Sequence, residues 1–521
     1  MADTNVVNLT IEGRTVSVAP GTTILEAAKT VGVLIPHYCY HPGLPVAGVC
    51  RMCLVDVEKS PKLAPACATA VAEGQVVHVH SDKAREARKG VLEMLLINHP
   101  LDCPICDQSG ECELQDYTYQ EGRADSRYRE PKRFNPVEDF GGDVLYVPNR
   151  CILCTRCVRF MDDVAEDPAL CVAERGDRAH IDRFEGKDLT HPWAANVVDL
   201  CPVGALLSKD FLNKARAWEL DRTASVCTGC SQGCNIIVET RDNTVMRVRP
   251  RSNTDVNGFF MCDHGRANYR WLNRRDRLEA PAILGAGGYQ TVDWDAATDG
   301  AARVLKGKRV FVLASPNLSN EALWLLSRIV KKSGGAGAYR MPTGAEAPLP
   351  GVKDLALRAD RAANGTGADL FGFSRSATPL SGMQAGDALV IADHDLSADD
   401  VAQVAKASAV VVVGTIMPAG LERAHVILPI CNVAEEEGTL TNLRGRVQRF
   451  LQAKAAAGLA RPSWYALADL CTALGESAPY FTATEVFTAL AAAHADFAGM
   501  SYGSLGLRGA TLASAKAGAT A

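Results

Sequence analysis

The stretch His99–Cys112, HPLDCPICDQSGEC, places one histidine and three cysteines within fourteen residues. Thiolate and imidazole are preferred protein ligands of zinc and of iron-sulfur clusters, so this density predicts a metal centre. A 4Fe-4S cube requires four ligands, and only His99 stands nearby to complete the set with Cys103, Cys106 and Cys112. A structural zinc ion is the alternative at this motif. Helical spacing of apolar residues over 84–98 places His99 just past the end of a helix.

An imidazole ligand is neutral, whereas a thiolate carries a negative charge. A histidine in place of one thiolate would lower the negative charge of the cluster and raise its reduction potential, as histidine does in Rieske centres. If the site holds a cluster and not zinc, His99 is then a ligand that sets the charge, and hence the potential, of that centre.

The composition is that of a soluble multidomain protein. The chain has 521 residues, of which 47% are hydrophobic and 22% are charged, and its net charge is −5. That charge gives no polycationic signal for nucleic acid as the main partner, and no apolar run is long enough for a membrane-spanning helix. The first residues lack the basic and apolar regions of a secretory signal, so we expect the reducing cytoplasm.

Eighteen cysteines in a reducing compartment need an explanation other than disulfides. Sixteen of them precede residue 263, mostly in groups with short gaps, and only Cys431 and Cys471 follow. Together with Cys171, which has no partner at ligand spacing, these two are expected to be core residues. The chain therefore joins a cysteine-rich half to an ordinary one.

A predicted hairpin and helix precede the first cysteine group. Alternating apolar runs flank a turn at 12–14, and Thr23 with Glu26 predicts a capping box for a short helix. A hairpin, a helix and a cysteine loop follow one another in a plant-type 2Fe-2S ferredoxin. The candidate ligands are Cys39, Cys50, Cys53 and Cys67. Zinc is the alternative, although zinc sites usually contain two CxxC pairs and this segment contains one.

The third group has the bacterial ferredoxin pattern. Its residues are Cys151, Cys154, Cys157 and Cys201, the last followed by proline. In that pattern three closely spaced cysteines bind one corner of a 4Fe-4S cube and the fourth comes from a remote turn. The chain has no second CxxCxxC run, so the simplest pairing assigns all four cysteines to one cluster.

The fourth group combines a short cysteine run with one distant cysteine. Its residues are Cys227, Cys230, Cys234 and Cys262. Alternating apolar residues between them predict a hairpin that turns near Asp242-Asn243 and brings Cys262 back to the other three. The spacing resembles the 4Fe-4S segment that begins molybdopterin oxidoreductases, with zinc again the alternative.

Short apolar runs such as Val310–Leu313, Ala388–Ile391 and Val410–Val413 alternate with polar, helix-like segments in the second half. This alternation predicts a doubly wound α/β domain with a buried parallel sheet. Residues 425–448 resemble a segment of molybdopterin oxidoreductases. About 300 residues follow residue 220, fewer than in those enzymes, so we expect a reduced scaffold without the pterin.

The predicted fold class is α+β and α/β multidomain, beginning with a β-grasp domain. The expected domains are a 2Fe-2S ferredoxin-type domain at 1–80, a histidine-ligated 4Fe-4S domain at 81–120, a 4Fe-4S ferredoxin-like domain at 121–219, a 4Fe-4S domain of the Mo/W-oxidoreductase type at 220–276, a cofactor-free molybdopterin-oxidoreductase-like α/β domain at 277–500 and a mobile tail at 501–521.

In this order the four groups and the α/β half resemble the G subunit family of bacterial NADH-quinone oxidoreductase, the large iron-sulfur subunit of respiratory complex I. The resemblance implies one 2Fe-2S cluster on the first group and three 4Fe-4S clusters on the others, the fourth being an extra centre of some bacterial members. It implies electron transfer from a partner that binds FMN and oxidises NADH toward the subunits leading to quinone, with no catalytic residue in this chain. It also implies a peripheral place on the cytoplasmic side of the inner membrane.

Two other functions fit the same motifs. One is a truncated large subunit of an NAD-linked formate dehydrogenase, or a hydrogenase-associated subunit, both of which share the N-terminal cluster set. The other is a zinc-stapled scaffold without a redox role. Iron with acid-labile sulfide, zinc or molybdenum distinguishes the three.

Overall fold

The computed structural model describes residues 6–421 and 423–518, with no description of the side chains of 516–518. The chain forms two compact units. Unit 1 contains the described residues up to Leu220 together with 349–353, and unit 2 contains 221–348 and the described residues from Asp354 onward. Both units mix helices with sheets, which confirms the predicted fold class. In the described part of the chain, no helix combines the length and apolar character needed to cross a bilayer.

Unit 1 contains ten strands and five α-helices within its described residues. The strands are β1 Val7–Ile11, β2 Arg14–Val18, β3 Leu54–Val57, β4 Ala64–Pro65, β5 Val76–His78, β6 Glu138–Asp139, β7 Val144–Tyr146, β8 Leu170–Ala173, β9 His180–Arg183 and β10 Leu206–Ser208. The helices are α1 Ile24–Thr30, α2 Asp82–Leu96, α3 Glu113–Glu121, α4 Arg156–Arg159 and α5 Asn196–Leu200.

The first sheet has the strand order β2-β1-β5-β3-β4, with β1 and β5 parallel. The predicted hairpin is present, since Ile11 pairs with Arg14 across a two-residue turn whose residues both have positive φ. That turn geometry follows the right-handed twist of the two strands. Thr23 caps α1 by accepting from the backbone N–H of Glu26, which is one half of the predicted capping box. The Glu26 carboxylate instead accepts from Lys29 and from the Tyr40 hydroxyl. Apolar residues of α1 and β1 share one buried core.

The rest of unit 1 supplies the segments that carry the second and third groups. Strands β10, β7 and β6 form one small sheet, and β8 pairs with β9. Helix α2 ends at Leu96, so His99 lies just past a helix end, as the sequence predicts. Cys103–Ile105 forms a 3-10 turn, and Cys112 occupies the N-cap position of α3.

Unit 2 contains sixteen strands and nine α-helices within its described residues. The strands are β11 Asp221–Val226, β12 Asn235–Arg241, β13 Thr244–Pro250, β14 Ala282–Gly285, β15 Gly288–Thr291, β16 Val310–Ala314, β17 Ala336–Tyr339, β18 Ala347–Pro348, β19 Ala356–Leu357, β20 Ser374–Arg375, β21 Ala388–Ala392, β22 Ala409–Gly414, β23 Val426–Pro429, β24 Gly438–Thr441, β25 Arg446–Phe450 and β26 Ala510–Thr511. The helices are α6 Asp263–Ala267, α7 Trp294–Leu305, α8 Asn320–Ser333, α9 Gly365–Leu370, α10 Ala398–Val404, α11 Ser463–Ala473, α12 Ala483–Ala493, α13 Tyr502–Leu505 and α14 Ala513–Gly518.

An eight-stranded sheet forms the centre of unit 2, in the order β15-β14-β23-β22-β21-β16-β17-β20. Strands β23 to β20 in that order are parallel, and the hairpin β14/β15 is antiparallel at one edge. Alternate residues of β16 face two different apolar cores, with Val310 and Val312 in one and Phe311 and Leu313 in the other. A parallel sheet covered on both faces is the predicted doubly wound arrangement.

The hairpin of β12 and β13 turns at Asp242-Asn243, as predicted. Both turn residues have positive φ, at 50° and 58°, which is the backbone of a two-residue hairpin turn. Strand β11 pairs with the other edge of β12 and completes a three-stranded sheet.

The predicted mobile tail at 501–521 is wrong for the described residues. Tyr502, Leu505 and Leu512 are buried in the larger core, and Thr511 of β26 pairs with Arg446 of β25. The Gly, Ala and Ser content predicted mobility, but three apolar side chains provide enough buried surface to anchor the segment. Residues 519–521 of the predicted tail and residues 1–5 of the predicted first domain lie outside the described part of the chain.

The three cysteines outside the ligand groups differ in burial. Cys431 and Cys471 are buried, as expected of core residues. Cys171 on β8 is only half-buried, so its expected core role is wrong. None of the eighteen cysteines forms a disulfide bond.

Candidate metal centres

A protein-bound iron-sulfur cluster requires deprotonated thiols, N–H donors directed at sulfur and protection from water. Within residues 6–421 and 423–518, no three or more Cys, His, Asp or Glu side chains converge as ligands of a single metal ion. In a 4Fe-4S cluster each ligand binds a different iron atom, and in a 2Fe-2S cluster two ligands bind each iron, so the whole ligand set stands farther apart than around one ion. The burial, hydrogen bonds and unpartnered polar atoms of the four groups therefore decide whether they fit clusters.

The first group is compact and almost fully buried. Cys39, Cys53 and Cys67 are at most 1% exposed, and Cys50 is half-buried. Hydrogen bonds from the thiols of Cys50 and Cys67 lower the pKa of the Cys39 thiol, and the backbone N–H of Cys39 donates to the Cys50 sulfur over 3.4 Å. Left-handed backbone at Gly48 and Arg51 turns the loop around these sulfurs. The donor set and its N–H groups fit a buried cluster.

The second group contains an unpartnered histidine. The Nδ1 atom of His99 is buried and has no hydrogen-bond partner in the described part of the chain. Burial, with the charges of Lys132 and Arg150, lowers the pKa of the imidazole to about 4, so the ring is neutral near neutral pH. A buried ring nitrogen without a partner costs free energy that a bond to a metal would remove.

The three cysteines of this group stand in different surroundings. Cys106 and Cys112 are buried, whereas Cys103 is exposed. Burial raises the pKa of the Cys112 thiol to about 11, and the N–H groups of the first turn of α3 oppose that rise. Asp102, which precedes Cys103, interacts with His99 and accepts from the Arg150 guanidinium at 3.0 Å. The loop therefore places the histidine beside the cysteine turn.

A glycine controls the space around Cys106. A Cβ atom at Gly204 would lie 2.2 Å from the Cys106 sulfur. Gly204 follows the turn of Cys201, so the fourth cysteine of one group brings a glycine against a thiol of another. Gly204 is not among the site residues predicted from the sequence. Its position three residues after the candidate ligand Cys201 could have indicated a close approach of the backbone to the site.

The third group lines one cavity. Cys151, Cys154, Cys157 and Cys201 contribute to its wall, together with Tyr146. Burial raises the pKa of the Cys151 thiol to about 11 and that of Cys154 to about 12. Metal binding would displace those protons.

The loop of this group directs polar hydrogens toward the cavity. Leu153 and Thr155 both have positive φ, and left-handed residues in a loop of this kind turn backbone N–H groups toward an enclosed anion. The N–H of Leu153 donates to the Cys151 sulfur over 3.4 Å. The buried hydroxyl of Tyr146 lies near Cys151 and interacts with its thiol, which opposes the rise in the pKa of Cys151. A cluster in this cavity would offer sulfur acceptors to it.

The fourth group lies in unit 2, and all four of its thiols are buried. The N–H of Cys227 donates to the carbonyl of Cys234 over 2.8 Å, which closes the cysteine loop. Cys262 returns to this loop as the hairpin predicts. A Cβ atom at Gly265 would lie 3.0 Å from the Cys227 sulfur and 3.4 Å from the Cys262 sulfur.

A residue of the α/β domain holds the cysteine loop of the fourth group in place. The buried Gln448 of β25 donates to the carbonyl of Gly233 at 2.9 Å, and its Oε1 accepts from Asn235 at 2.6 Å. Gly233 has positive φ, and a Cβ atom there would lie 2.9 Å from the Gln448 amide nitrogen. Gln448 is not among the residues predicted from the sequence, because it is more than 200 residues away along the chain.

Models of five protein families match the chain in separate segments. Their descriptions are a 2Fe-2S iron-sulfur cluster binding domain at 4–82, an NADH-ubiquinone oxidoreductase-G iron-sulfur binding region at 88–127, an NADH-quinone oxidoreductase subunit 3 ferredoxin-like domain at 141–207, a molybdopterin oxidoreductase Fe4S4 domain at 220–274 and a molybdopterin oxidoreductase at 376–473.

Curated relatives match the chain over more than half of its length. The G subunit of NADH-quinone oxidoreductase from Rickettsia bellii is 40% identical over 331 residues, which cover 63% of this chain and 48% of that protein. The mitochondrial NADH-ubiquinone oxidoreductase 78 kDa subunit of Candida albicans is 46% identical over 56% of this chain and 41% of that protein. The 75 kDa subunit of Reclinomonas americana is 42% identical, over 64% and 49%. The matched part thus spans about half the length of each relative.

Among solved structures, an NAD+-reducing [NiFe]-hydrogenase in its H2-reduced state is 31% identical to this chain. The match covers 40% of this chain and 90% of that one, with a TM-score of 0.37.

Proposed function

We propose, from the premise that this chain belongs over its matched residues to the G subunit family of NADH-quinone oxidoreductase, that it is an electron-relay subunit of a respiratory complex. It accepts electrons from a partner that oxidises NADH and passes them toward quinone. The observation that carries this proposal is the series of four cysteine groups, in which most thiols are buried and each group has backbone N–H donors directed at sulfur.

The proposed ligands follow the four groups. The first group, Cys39, Cys50, Cys53 and Cys67, holds a 2Fe-2S cluster. The other three groups, His99 with Cys103, Cys106 and Cys112, then Cys151, Cys154, Cys157 and Cys201, then Cys227, Cys230, Cys234 and Cys262, hold 4Fe-4S clusters. When bound, these clusters supply sites that accept and release single electrons.

The surrounding residues of the chain bind and tune the centres. Buried thiols keep water away, and N–H groups that face sulfur stabilise the added negative charge of reduction. His99 contributes a neutral nitrogen, which supports a higher potential at its centre. No side chain of this chain carries out proton transfer or bond cleavage in this proposal.

The finer domain division is part of the same proposal. The cluster domains occupy 1–80, 81–120, 121–219 and 220–276, and the molybdopterin-oxidoreductase-like α/β domain that follows carries no pterin. The separate family matches at 4–82, 88–127, 141–207 and 220–274 support this order.

The proposed partners are the other subunits of the peripheral arm of complex I. They include the NADH-binding subunit, which carries FMN, and the subunits that lead to quinone. The chain lies on the cytoplasmic side of the cell membrane without a span of its own. The names of the relatives, which are those of NADH-quinone and NADH-ubiquinone oxidoreductase subunits, support this assignment.

The test is metal and acid-labile sulfide analysis with EPR spectroscopy on anaerobically purified complex. One 2Fe-2S and three 4Fe-4S clusters predict about fourteen iron atoms and about as many sulfides per chain. The variant Cys154→Ser should lose the third centre. Cys171→Ser is its matched control, because Cys171 belongs to no ligand group, and it should retain all four centres.

Other metal contents would contradict the proposal. Zinc without sulfide would establish the stapled scaffold instead. Molybdenum in stoichiometric amount would assign the second half to a formate-dehydrogenase-like active site.

A further inference from the structure

Arg156 lies inside the third cysteine group, between Cys154 and Cys157, at the start of α4. Its side chain is only 6% exposed. Burying a guanidinium is costly unless acceptors replace the lost water, so its partners indicate what this side chain stabilises.

The partners of Arg156 come from three separate parts of unit 1. One terminal nitrogen donates to the carbonyl of Tyr40 at 2.8 Å, and the other donates to the carbonyl of Leu200 at 3.2 Å. Both terminal nitrogens reach the carboxylate of Glu113 at 3.4 Å. One side chain therefore joins segments that are up to 116 residues apart along the chain.

Each of these partners is a direct neighbour of a candidate ligand. Tyr40 follows Cys39 of the first group, Glu113 follows Cys112 of the second, and Leu200 precedes Cys201 of the third. In each of the three cysteine loops of unit 1, Arg156 thus contacts a residue that is directly bonded to a candidate ligand. A movement of Arg156 would therefore move all three loops. An arginine that served only to fill space in the core would not be expected to contact all three of these positions.

Arg159, almost one turn later, strengthens the same junction. One of its terminal nitrogens donates to the carbonyl of Cys39 at 2.6 Å and to that of Cys154 at 3.2 Å. Its other terminal nitrogen donates to Pro45. Two arginines of the third cysteine segment therefore hold the first cysteine loop. Both bind backbone carbonyls of that loop, so these hydrogen bonds do not depend on the side chains of the loop.

We propose that Arg156 is a shared positioning residue for the first three centres, and that its charge raises the reduction potential of the centre on Cys151, Cys154, Cys157 and Cys201. This inference rests on the proposed function. Reduction adds one negative charge to a cluster. A positive charge close to the cluster in a buried site stabilises this reduced form and so raises the reduction potential. The carboxylate of Glu113 offsets part of the charge of Arg156. Glu113, however, adjoins a candidate ligand of the second group, whereas Arg156 lies between two candidate ligands of the third.

The test compares two substitutions in the purified complex by EPR-monitored redox titration and iron analysis. Arg156→Gln removes the charge and most of the donors. We expect the third centre to shift to a more negative potential and the first and second centres to lose occupancy. Arg156→Lys keeps the charge without the planar fork, so the potential of the third centre should return toward the wild-type value while the occupancy of the other two is only partly restored.

Arg88→Gln is the matched control. Arg88 is 0% exposed, pairs with Glu121 at 3.2 Å and donates to the carbonyl of Val79, but none of these partners adjoins a candidate ligand. We expect this variant to be less stable, with all potentials unchanged. The fourth centre, none of whose ligands adjoins a partner of Arg156, should stay unchanged in every variant.

The outcomes separate this inference from the proposed function. A wild-type complex without iron and sulfide would contradict the proposed function itself. A wild-type complex with all centres, and an Arg156→Gln complex with the same potentials and occupancies, would contradict only the role of Arg156. Equal loss of centres from Arg156→Gln, Arg156→Lys and Arg88→Gln would show a general need for buried arginines and would also overturn the inference.

Discussion

Among single side chains, His99 is singled out both by its position in the sequence, next to three cysteines, and by an unpartnered buried nitrogen in the structure. Its Nδ1 atom is buried without a hydrogen-bond partner among the described residues, and burial keeps the ring neutral by lowering its pKa. An unsatisfied buried nitrogen costs about 1–3 kcal/mol, which few native sites tolerate without a function. Coordination of a metal, as proposed, would give this nitrogen a partner and would explain why an imidazole stands among three thiols.

Replacing His99 by cysteine tests this role. A thiolate adds a negative charge, so His99→Cys should retain about four irons at the second centre and shift its potential to a more negative value. Redox titration followed by EPR measures the shift. His78→Gln, which changes a histidine that pairs with Glu58 and belongs to no ligand group, should have no effect. An unchanged second centre in His99→Cys would show that His99 is not a ligand.

Gly204 is a second single-residue position with a sharp prediction. Gly204→Ala places a methyl group 2.2 Å from the Cys106 sulfur, closer than any real contact, so we expect loss of the second centre. Iron analysis and the EPR signal of that centre measure it. Gly90→Ala is the control, because it has open space in the interior of α2 and should raise stability by about 0.5–1 kcal/mol. Full occupancy in Gly204→Ala would contradict the close packing.

Among the elements, the start of α8 carries a buried carboxylate network in unit 2. Glu321 is fully buried and accepts from the Tyr502 hydroxyl at 2.8 Å and from the backbone N–H of Thr439 at 3.0 Å. Burial raises its pKa to about 7, and burial raises the pKa of Glu436, hydrogen-bonded to Ser463, to about 8. The last described segment of the chain thus packs against a group whose charge changes near neutral pH.

These two glutamates predict a pH-dependent stability. The folded state holds their protons more tightly than the unfolded state, so the contribution of these two carboxyls to stability is greatest below their ordinary pKa of 4.5 and is lost as pH rises through 7 and 8. A tenfold difference in proton affinity between the two states corresponds to about 1.4 kcal/mol. Thermal unfolding of the full chain at about pH 5.5 and about pH 8.5 should show a smaller pH effect in the double variant Glu321→Gln, Glu436→Gln.

The control for this measurement is Glu279→Gln, which changes an exposed glutamate of the same unit. It should reproduce the pH dependence of the wild type. An equal pH effect in the double variant and the wild type would show that the two buried carboxyls do not titrate between these pH values.

For the molecule as a whole, the proposed relay predicts a dependence on its partner. Dithionite should reduce the centres of the isolated full chain, whereas NADH should leave them oxidised, because the flavin belongs to another subunit. Addition of the flavin-bearing subunit should make NADH effective, as followed by EPR. Cys171→Ser should behave like the wild type in this assay. Rapid reduction of the isolated chain by NADH would place a nicotinamide site on this chain and contradict the proposal.

The cysteine and histidine groups, the β1/β2 and β12/β13 hairpins and the parallel strands of unit 2 could all be predicted from the sequence. Each depends on the type and spacing of residues within one segment or on a local apolar pattern, and such patterns are set by backbone and side-chain periodicity. The burial of Tyr502, Leu505 and Leu512 could not be predicted, because the local composition contains no information about the core that receives them.

The candidate ligands could therefore be predicted from the sequence, because residue type and spacing limit which metal centres a segment can form. Only tertiary packing decided how the groups support one another. It brought Arg156 to Tyr40 and Leu200, Gly204 to Cys106 and Gln448 to Gly233, all across long stretches of sequence. Contacts of this kind depend on which surfaces pack together when the units fold, and no local periodicity encodes that choice.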